Sequence, residues 1–137
     1  MPTNALRILI VDDDIDLLML MERKLQQNGY VVESAASLAE AEYVASIFKP
    51  NLVLLDINVA GEDGRQLCWK IKHAPSTKDT KVVLMSGTHY PLNRILLFGA
   101  DEFIAKPYQP EFIQQKIVSL LVPENAVPQL VPVNGIN

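Results

Sequence analysis

The sequence predicts an α/β fold in which a doubly wound, five-stranded parallel sheet carries helices on both faces. Two observations lead to this prediction. Short apolar runs alternate along the chain with longer segments that have helical periodicity. The runs "LVLL" and "VVLM" are apolar without alternation, which is typical of strands buried on both faces. Strands joined by helices make right-handed crossovers, so most neighbouring strands should be parallel.

The predicted strands follow the order of these apolar runs. Four of them end at Val11, Asp56, Ser86 and Ala105, and a weaker one covers residues 30–34. We expect the spatial order 2-1-3-4-5, in which the first and third strands are neighbours.

Capping residues and periodicity mark the first two helices. The first should run from about Asp14 to Asn28, because apolar residues recur at helical spacing and Gly29 supplies a C-terminal stop. Ser37 and Glu40 form a capping-box pattern that opens the second.

Two later helices carry similar signals. The third should follow Asp63 and Gly64, and the last should begin near Pro110, because proline is favoured at the first helical position. The apolar side chains expected on the buried side of the last helix are Phe112, Ile113, Ile117 and Leu120.

Length and composition favour one domain and exclude several function classes. The chain has 137 residues; we expect residues 1–121 to form the domain and residues 122–137 a proline-containing tail or linker stub. The net charge is -4 without a basic stripe, so we expect no direct nucleic-acid binding. No apolar run is long enough to span a membrane, and the one cysteine, Cys68, forms no internal disulfide, so a cytoplasmic location is expected.

Three consecutive aspartates, Asp12, Asp13 and Asp14, directly follow the first strand. Neighbouring carboxylates repel each other unless solvent, a helix N-terminus or a cation takes up their charge. Because the carboxyl ends of the first and third strands meet at one edge, Asp12 and Asp13 should share a crevice with Asp56. Three hard oxygen ligands suit an octahedral Mg²⁺ ion. We expect Asp14 to cap the first helix instead.

Two more polar side chains, Ser86 and Lys106, follow the fourth and fifth strands. With the acidic residues, they make the sequence resemble the receiver domain of two-component response regulators, the CheY-like family with a flavodoxin-like fold. Its motifs occur in order as "ILIVDDD", "LVLLDINVAGEDG", "VVLMSG" and "DEFIAKPY". The resemblance covers the chain from Arg7 to about Leu121.

The resemblance implies a phosphoacceptor domain that catalyses its own phosphorylation and dephosphorylation and is not a classical enzyme. Asp56 would take a phosphoryl group from a phosphohistidine on a sensor histidine kinase or a histidine phosphotransfer protein. The implied Mg²⁺ ligands are Asp12, Asp13, Asp56 and the backbone carbonyl of Asn58. The implied contacts to the phosphoryl group come from Ser86 and Lys106.

The resemblance also assigns residues that tune or transmit the signal. Asn58 and Thr88 occupy the positions that set how long the phosphate lasts, and Phe103 occupies that of a switching aromatic, here without a hydroxyl group. Ala60 stands where the family usually has proline, and Lys106–Pro107 is expected to be a cis peptide.

An output surface is expected around "PLNRILLFGADEF". Four consecutive apolar residues cannot all face one side of a helix, so some should point outward. We expect a homodimer or an output partner to dock there. The residues assigned to this surface are Leu92, Ile95, Leu96 and Tyr108.

Two other functions remain open at this point. A haloacid-dehalogenase-type phosphatase would use Asp12 as its nucleophile, with Asp14 at the D-x-D spacing, but Asp16 stands where threonine or valine belongs. An interaction module that never takes phosphate would have no need to hold the repelling carboxylates together.

Overall fold

The chain folds as alternating strands and helices. The structure is a computed structural model that describes residues 5–87 and 98–123. The elements are β1 (Arg7–Val11), α1 (Ile15–Gln27), β2 (Val31–Ala35), α2 (Leu38–Phe48), β3 (Leu52–Asp56), β4 (Asn58–Val59), β5 (Glu62–Asp63), α3 (Gly64–His73), β6 (Lys81–Ser86), β7 (Glu102–Ala105) and α4 (Pro110–Leu121).

Five strands form one parallel sheet in the order β2-β1-β3-β6-β7. Counting only these five strands, the order is 2-1-3-4-5, so the predicted fold class and topology are confirmed. The short strands β4 and β5 form a separate antiparallel hairpin, which the sequence did not predict. Every carboxyl end of the parallel sheet lies at the same edge.

Helices cover both faces of this sheet. On one face, apolar side chains of the strands pack with buried residues of α2 and α3, including the thiol-bearing Cys68. On the other face, they pack with α1 and α4. All five residues of β3 are buried, as expected for the central strand of a two-sided sheet.

The predicted helix starts are confirmed by their capping hydrogen bonds. Asp14 is the N-cap of α1, and its Oδ1 accepts from the Leu17 N–H at 3.2 Å. Ser37 caps α2 by accepting from the Glu40 N–H at 3.1 Å. Each such bond satisfies a backbone donor that has no partner inside the helix.

The prediction that Phe112 lies on the buried side of the last helix is wrong. Phe112 is 42% exposed, whereas Ile113 and Ile117 of α4 are fully buried. Adjacent helical residues point about 100° apart, so a helix that buries Ile113 turns the preceding side chain toward its edge. The Phe112 ring lies 5.4 Å from the Lys116 Nζ instead.

Several predictions fall outside the described residues. These are the roles of Thr88, Leu92, Ile95 and Leu96 and almost all of the proposed tail. Across residues 5–87 and 98–123, no helix combines the length and the apolar character that crossing a bilayer requires.

Gly64 lets α3 begin directly against the end of β3. A Cβ atom at this position would lie 2.1 Å from the Asp56 carbonyl oxygen, far inside van der Waals contact. We therefore expect Gly64→Ala to lower the free energy of unfolding by about 1–3 kcal/mol, because the backbone must move to admit the methyl group.

Chemical denaturation measures this effect, and Gly87→Ala is the matched control. A Cβ atom at Gly87 meets no described heavy atom within 4 Å, so its change should stay within about 0.5 kcal/mol. Equal stability of Gly64→Ala and the wild-type chain would contradict the packing argument.

Candidate functional site

The polar residues that the sequence singled out meet at the carboxyl edge of the sheet. Asp12 follows β1, Asp56 ends β3, Ser86 ends β6 and Lys106 follows β7. Strands β1 and β3 are paired in register up to Val11 and Leu55, which brings the residues after them side by side. The sheet topology therefore assembles the site.

Lys106 joins two of the carboxylates directly. Its Nζ donates to Asp12 Oδ2 at 2.7 Å and to Asp56 Oδ2 at 2.9 Å. Asp12 is buried and the Asp56 side chain is only 11% exposed. The peptide bond between Lys106 and Pro107 is cis, as the resemblance implied.

Backbone N–H groups hold the remaining oxygen of each of these carboxylates. Asp12 Oδ1 accepts from the Asp14 N–H at 2.9 Å, and Asp56 Oδ1 accepts from the Asn58 N–H at 3.2 Å. All four carboxylate oxygens of Asp12 and Asp56 therefore accept hydrogen bonds, which fixes the orientation of both groups.

Burial and the ammonium group act in opposite directions on the site's ionisation. Burial raises the pKa of Asp56, and the hydrogen bond and charge of Lys106 lower it without cancelling the rise. Burial also lowers the pKa of Lys106, but Asp12 and Asp56 together outweigh this effect, so its pKa is raised overall. Lys106 therefore keeps its positive charge between the two carboxylates.

Asp13 completes a group of three carboxylates. One ligand oxygen from each of Asp12, Asp13 and Asp56 lies within 4.8 Å of the others, and Asp13 is exposed at the mouth of the crevice. Carboxylate oxygens at this spacing suit a hard divalent cation. One ammonium beside three carboxylates also leaves negative charge that a cation would neutralise, so the residues fit a metal ion.

The β4–β5 hairpin forms one wall of the site, and sequence reasoning missed it. Its two turn residues, Ala60 and Gly61, have φ values of 52° and 83°. Positive φ at both positions is typical of a type I′ turn. Gly61 was the available signal, but the alanine before it rarely adopts this conformation. The Asn58 side chain accepts from the Gly61 N–H at 3.1 Å and stabilises the turn.

The other predicted residues lie in strands β6 and β7 or just after β7. Ser86 is buried, and its carbonyl oxygen accepts from the Lys106 N–H at 2.9 Å. Phe103 is half-buried in β7 and packs against the core on the α3 side. Tyr108 is half-buried, and burial raises its pKa to about 12. The roles of Asn58 and Ser86 toward a ligand stay predictions.

Comparison with known proteins identifies the family. A model of the response regulator receiver domain matches residues 8–118. The chain belongs to this family. This receiver domain is also similar in structure to a CheY-like response regulator receiver domain protein from Methanospirillum hungatei. The two share 32% identity and a TM-score of 0.80 over 86% of this chain and 94% of that one.

Curated relatives of the receiver domain are named as transcriptional regulators. The transcriptional regulatory protein YvcP of Bacillus subtilis is 34% identical over 84% of this chain and 48% of its own length. The DNA-binding dual master transcriptional regulator RpaA of Synechocystis is 29% identical over 90% of this chain and 52% of its own length. The chain thus spans about half the length of the curated relatives it matches.

The family match decides against the phosphatase alternative, and the geometry agrees. The Asp14 carboxylate, which that mechanism would need beside Asp12, accepts from the Leu17 N–H as the N-cap of α1. Asp56 and Lys106 instead lie with Asp12 in the crevice of the receiver domain.

Replacing the ammonium group should make Asp56 harder to ionise. Lys106→Met removes the hydrogen bond and the positive charge that lower the pKa of Asp56, so this pKa should rise further. Carbon NMR of the Asp56 carboxyl group during a pH titration of the metal-free protein measures it. Lys116→Met is the control, because Lys116 pairs with Glu102 instead. An unchanged Asp56 titration in Lys106→Met would contradict this assignment.

Proposed function

We propose that Asp56 accepts a phosphoryl group from a phosphohistidine of a sensor histidine kinase or histidine phosphotransfer protein, in a Mg²⁺-dependent reaction. The observation that carries this proposal is the Asp56 carboxylate held 2.9 Å from Lys106, beside two further carboxylates. Phosphoryl transfer depends mainly on positioning and on neutralising charge, and this arrangement provides both.

The transfer step uses Asp56 as the nucleophile. One carboxylate oxygen forms a bond to phosphorus while the bond between phosphorus and the donor imidazole nitrogen breaks. That nitrogen keeps the electron pair, and the product on Asp56 is an acyl phosphate. Lys106 already contacts Asp56 Oδ2, so its ammonium can donate to a phosphoryl oxygen attached there. The Ser86 hydroxyl supplies a second donor once the phosphoryl group is bound.

The metal site overlaps the acceptor site. Asp12, Asp13, Asp56 and the Asn58 carbonyl would hold the Mg²⁺ ion. When bound, the ion neutralises negative charge on the phosphoryl oxygens. Asp12 and Asp13 provide two carboxylates at the crevice that would bind the ion. Lys106 holds Asp12 and Asp56 in fixed orientations.

The response of the domain would follow from repacking around the acyl phosphate. Asn58 and Thr88 set the lifetime of the phosphate, and the half-buried Phe103 moves as Ser86 is drawn toward the phosphoryl oxygens. The altered surface docks a second copy or an output partner. The residues proposed for this surface are Leu92, Ile95, Leu96 and Tyr108.

The relatives' names suggest how such a signal is used. They are transcriptional regulators, one named as DNA-binding, about twice as long as the stretch this chain matches. We propose that residues 1–121 are the regulatory domain, with 122–137 as tail or linker, and that any contact with DNA is made by a partner or a further domain. The single cysteine, which forms no internal disulfide, supports a cytoplasmic location.

Asp56→Asn should abolish phosphorylation and leave the fold intact, because asparagine keeps the shape of the side chain and loses the nucleophile. Incubation with Mg²⁺ and radiolabelled acetyl phosphate measures the modification. Asp16→Asn, an exposed carboxylate in the first turn of α1, is the control and should be labelled like the wild-type chain. Labelling of Asp56→Asn at the wild-type rate would refute the assignment.

Asp13→Ala and Asp14→Ala should have separate effects although the residues are neighbours. Asp13→Ala removes a proposed ligand and should weaken Mg²⁺ binding by at least about tenfold. Asp14→Ala removes the N-cap of α1 and should lower the free energy of unfolding by about 1 kcal/mol with little change in Mg²⁺ affinity. Isothermal titration and chemical denaturation measure the two effects. A larger loss of Mg²⁺ affinity in Asp14→Ala would show that the metal ligands are misassigned.

A further inference from the structure

The turn of the β4–β5 hairpin has a conformation that its sequence does not favour. Ala60 has φ of 52°, in the left-handed region that residues with a Cβ atom rarely adopt. The turn nevertheless closes, with Gly61 at φ of 83° and with Val59 paired to Glu62. A contact outside the hairpin accompanies this conformation.

That contact is a hydrogen bond from the Ala60 N–H to Asp13 Oδ2, at 2.9 Å. It connects the loop after β1 with the loop after β3, 47 residues apart in sequence. Two proposed metal ligands, Asp12 and Asp13, lie in the loop after β1, and the other two lie at the end of β3 and the start of the hairpin. The hydrogen bond therefore links the position of the hairpin turn to the position of the proposed ligand Asp13.

Asp13 differs from the two carboxylates beside it in how it is held. Asp12 and Asp56 each accept from Lys106 and from a backbone N–H. Within the described ranges, the Asp13 carboxylate accepts its hydrogen bond from the Ala60 N–H. Because Asp13 is exposed, without this bond its side chain would rotate freely in solvent.

This bond needs a residue other than proline at position 60. Proline has no backbone N–H, and its ring fixes φ near −65°, so it could neither donate to Asp13 nor adopt the observed turn. Where the family usually has proline, this chain has an N–H donor directed at an acidic ligand.

We propose that Ala60 is a positioning residue for the metal ion: its N–H holds Asp13 Oδ2 and so fixes the orientation of this carboxylate beside Asp12 and Asp56. The proposal rests on the proposed function, which makes Asp13 a Mg²⁺ ligand. Ligating carboxylates are commonly held by hydrogen bonds of their own, and a ligand oriented in advance loses less conformational freedom on binding. The hairpin turn thereby prepares the site before the ion arrives.

The direct test removes the N–H and keeps the side chain. Incorporation of lactic acid at position 60 replaces the amide by an ester and keeps the methyl group and the chain geometry. Isothermal titration with MgCl₂, without phosphodonor, should show about tenfold weaker binding than in the wild-type chain. Ala60→Gly keeps the N–H and tolerates positive φ, so it should retain the wild-type affinity within about twofold.

Gly61→Ala separates the hydrogen bond from the stability of the turn. It adds a Cβ atom at φ of 83° and so strains the same turn, but it keeps the Ala60 N–H. We expect its Mg²⁺ affinity to fall much less than that of the ester. A loss equal to that of the ester would overturn the proposal, because turn stability alone would then explain both results.

The amide itself gives a second readout, in metal-free protein. In the wild-type chain the Ala60 amide proton should be protected from solvent exchange, and Asp13→Ala should accelerate its exchange at least about tenfold. Asp16→Ala, which changes an exposed carboxylate of α1, should leave the exchange rate unchanged. Equal exchange in the wild-type chain and Asp13→Ala would overturn the proposal.

The outcomes distinguish this proposal from the proposed function. A wild-type chain that binds no Mg²⁺ overturns both. A wild-type chain that is phosphorylated on Asp56 in a Mg²⁺-dependent reaction, together with an ester variant of unchanged Mg²⁺ affinity, overturns only the positioning role of Ala60.

Discussion

The site depends on one ammonium group placed between two carboxylates. Lys106 Nζ contacts Asp12 at 2.7 Å and Asp56 at 2.9 Å. One oxygen of a third carboxylate, Asp13, lies within 4.8 Å of an oxygen of each of the other two. Without this cation the carboxylates would repel each other in a partly buried crevice, and the pKa of Asp56, which burial already raises, would rise further. One positive charge offsets only part of their negative charge. The remainder makes the crevice suited to a divalent cation and, with that cation, to a phosphoryl group.

The parallel sheet produces this arrangement because it brings strand ends that are distant in sequence to one edge. Lys106 and Asp12 are 94 residues apart, yet each comes directly after a strand of the parallel sheet. The central strand β3 is buried along its whole length, so its last residue, Asp56, lies at the edge of the core with little solvent around it. The same burial that raises the pKa of Asp56 also excludes water from the group that we propose as the nucleophile.

Sequence reasoning predicted the parts that strand ends and caps determine. The placement of Asp12 and Asp56 at one edge of the sheet and the capping role of Asp14 follow from where apolar runs stop and polar residues begin. The resemblance to receiver domains implied the role of Lys106 at this site. Sequence reasoning failed where contacts between distant residues determine the local structure. The burial of Phe112 depends on how α4 is rotated against the sheet. The hairpin turn at Ala60 has a conformation that alanine alone does not favour, so the local signal from Gly61 was not enough to predict it.

The central claim is that the phosphoryl group is carried by Asp56 and by no other carboxylate of the cluster. Reduction of the phosphorylated chain with borohydride converts an acyl phosphate to an alcohol, so the modified aspartate becomes homoserine. Peptide mapping by tandem mass spectrometry then identifies the position. The account predicts homoserine at position 56 and only in samples that received Mg²⁺ and phosphodonor. Homoserine at position 12 or 13, with aspartate retained at 56, would contradict it.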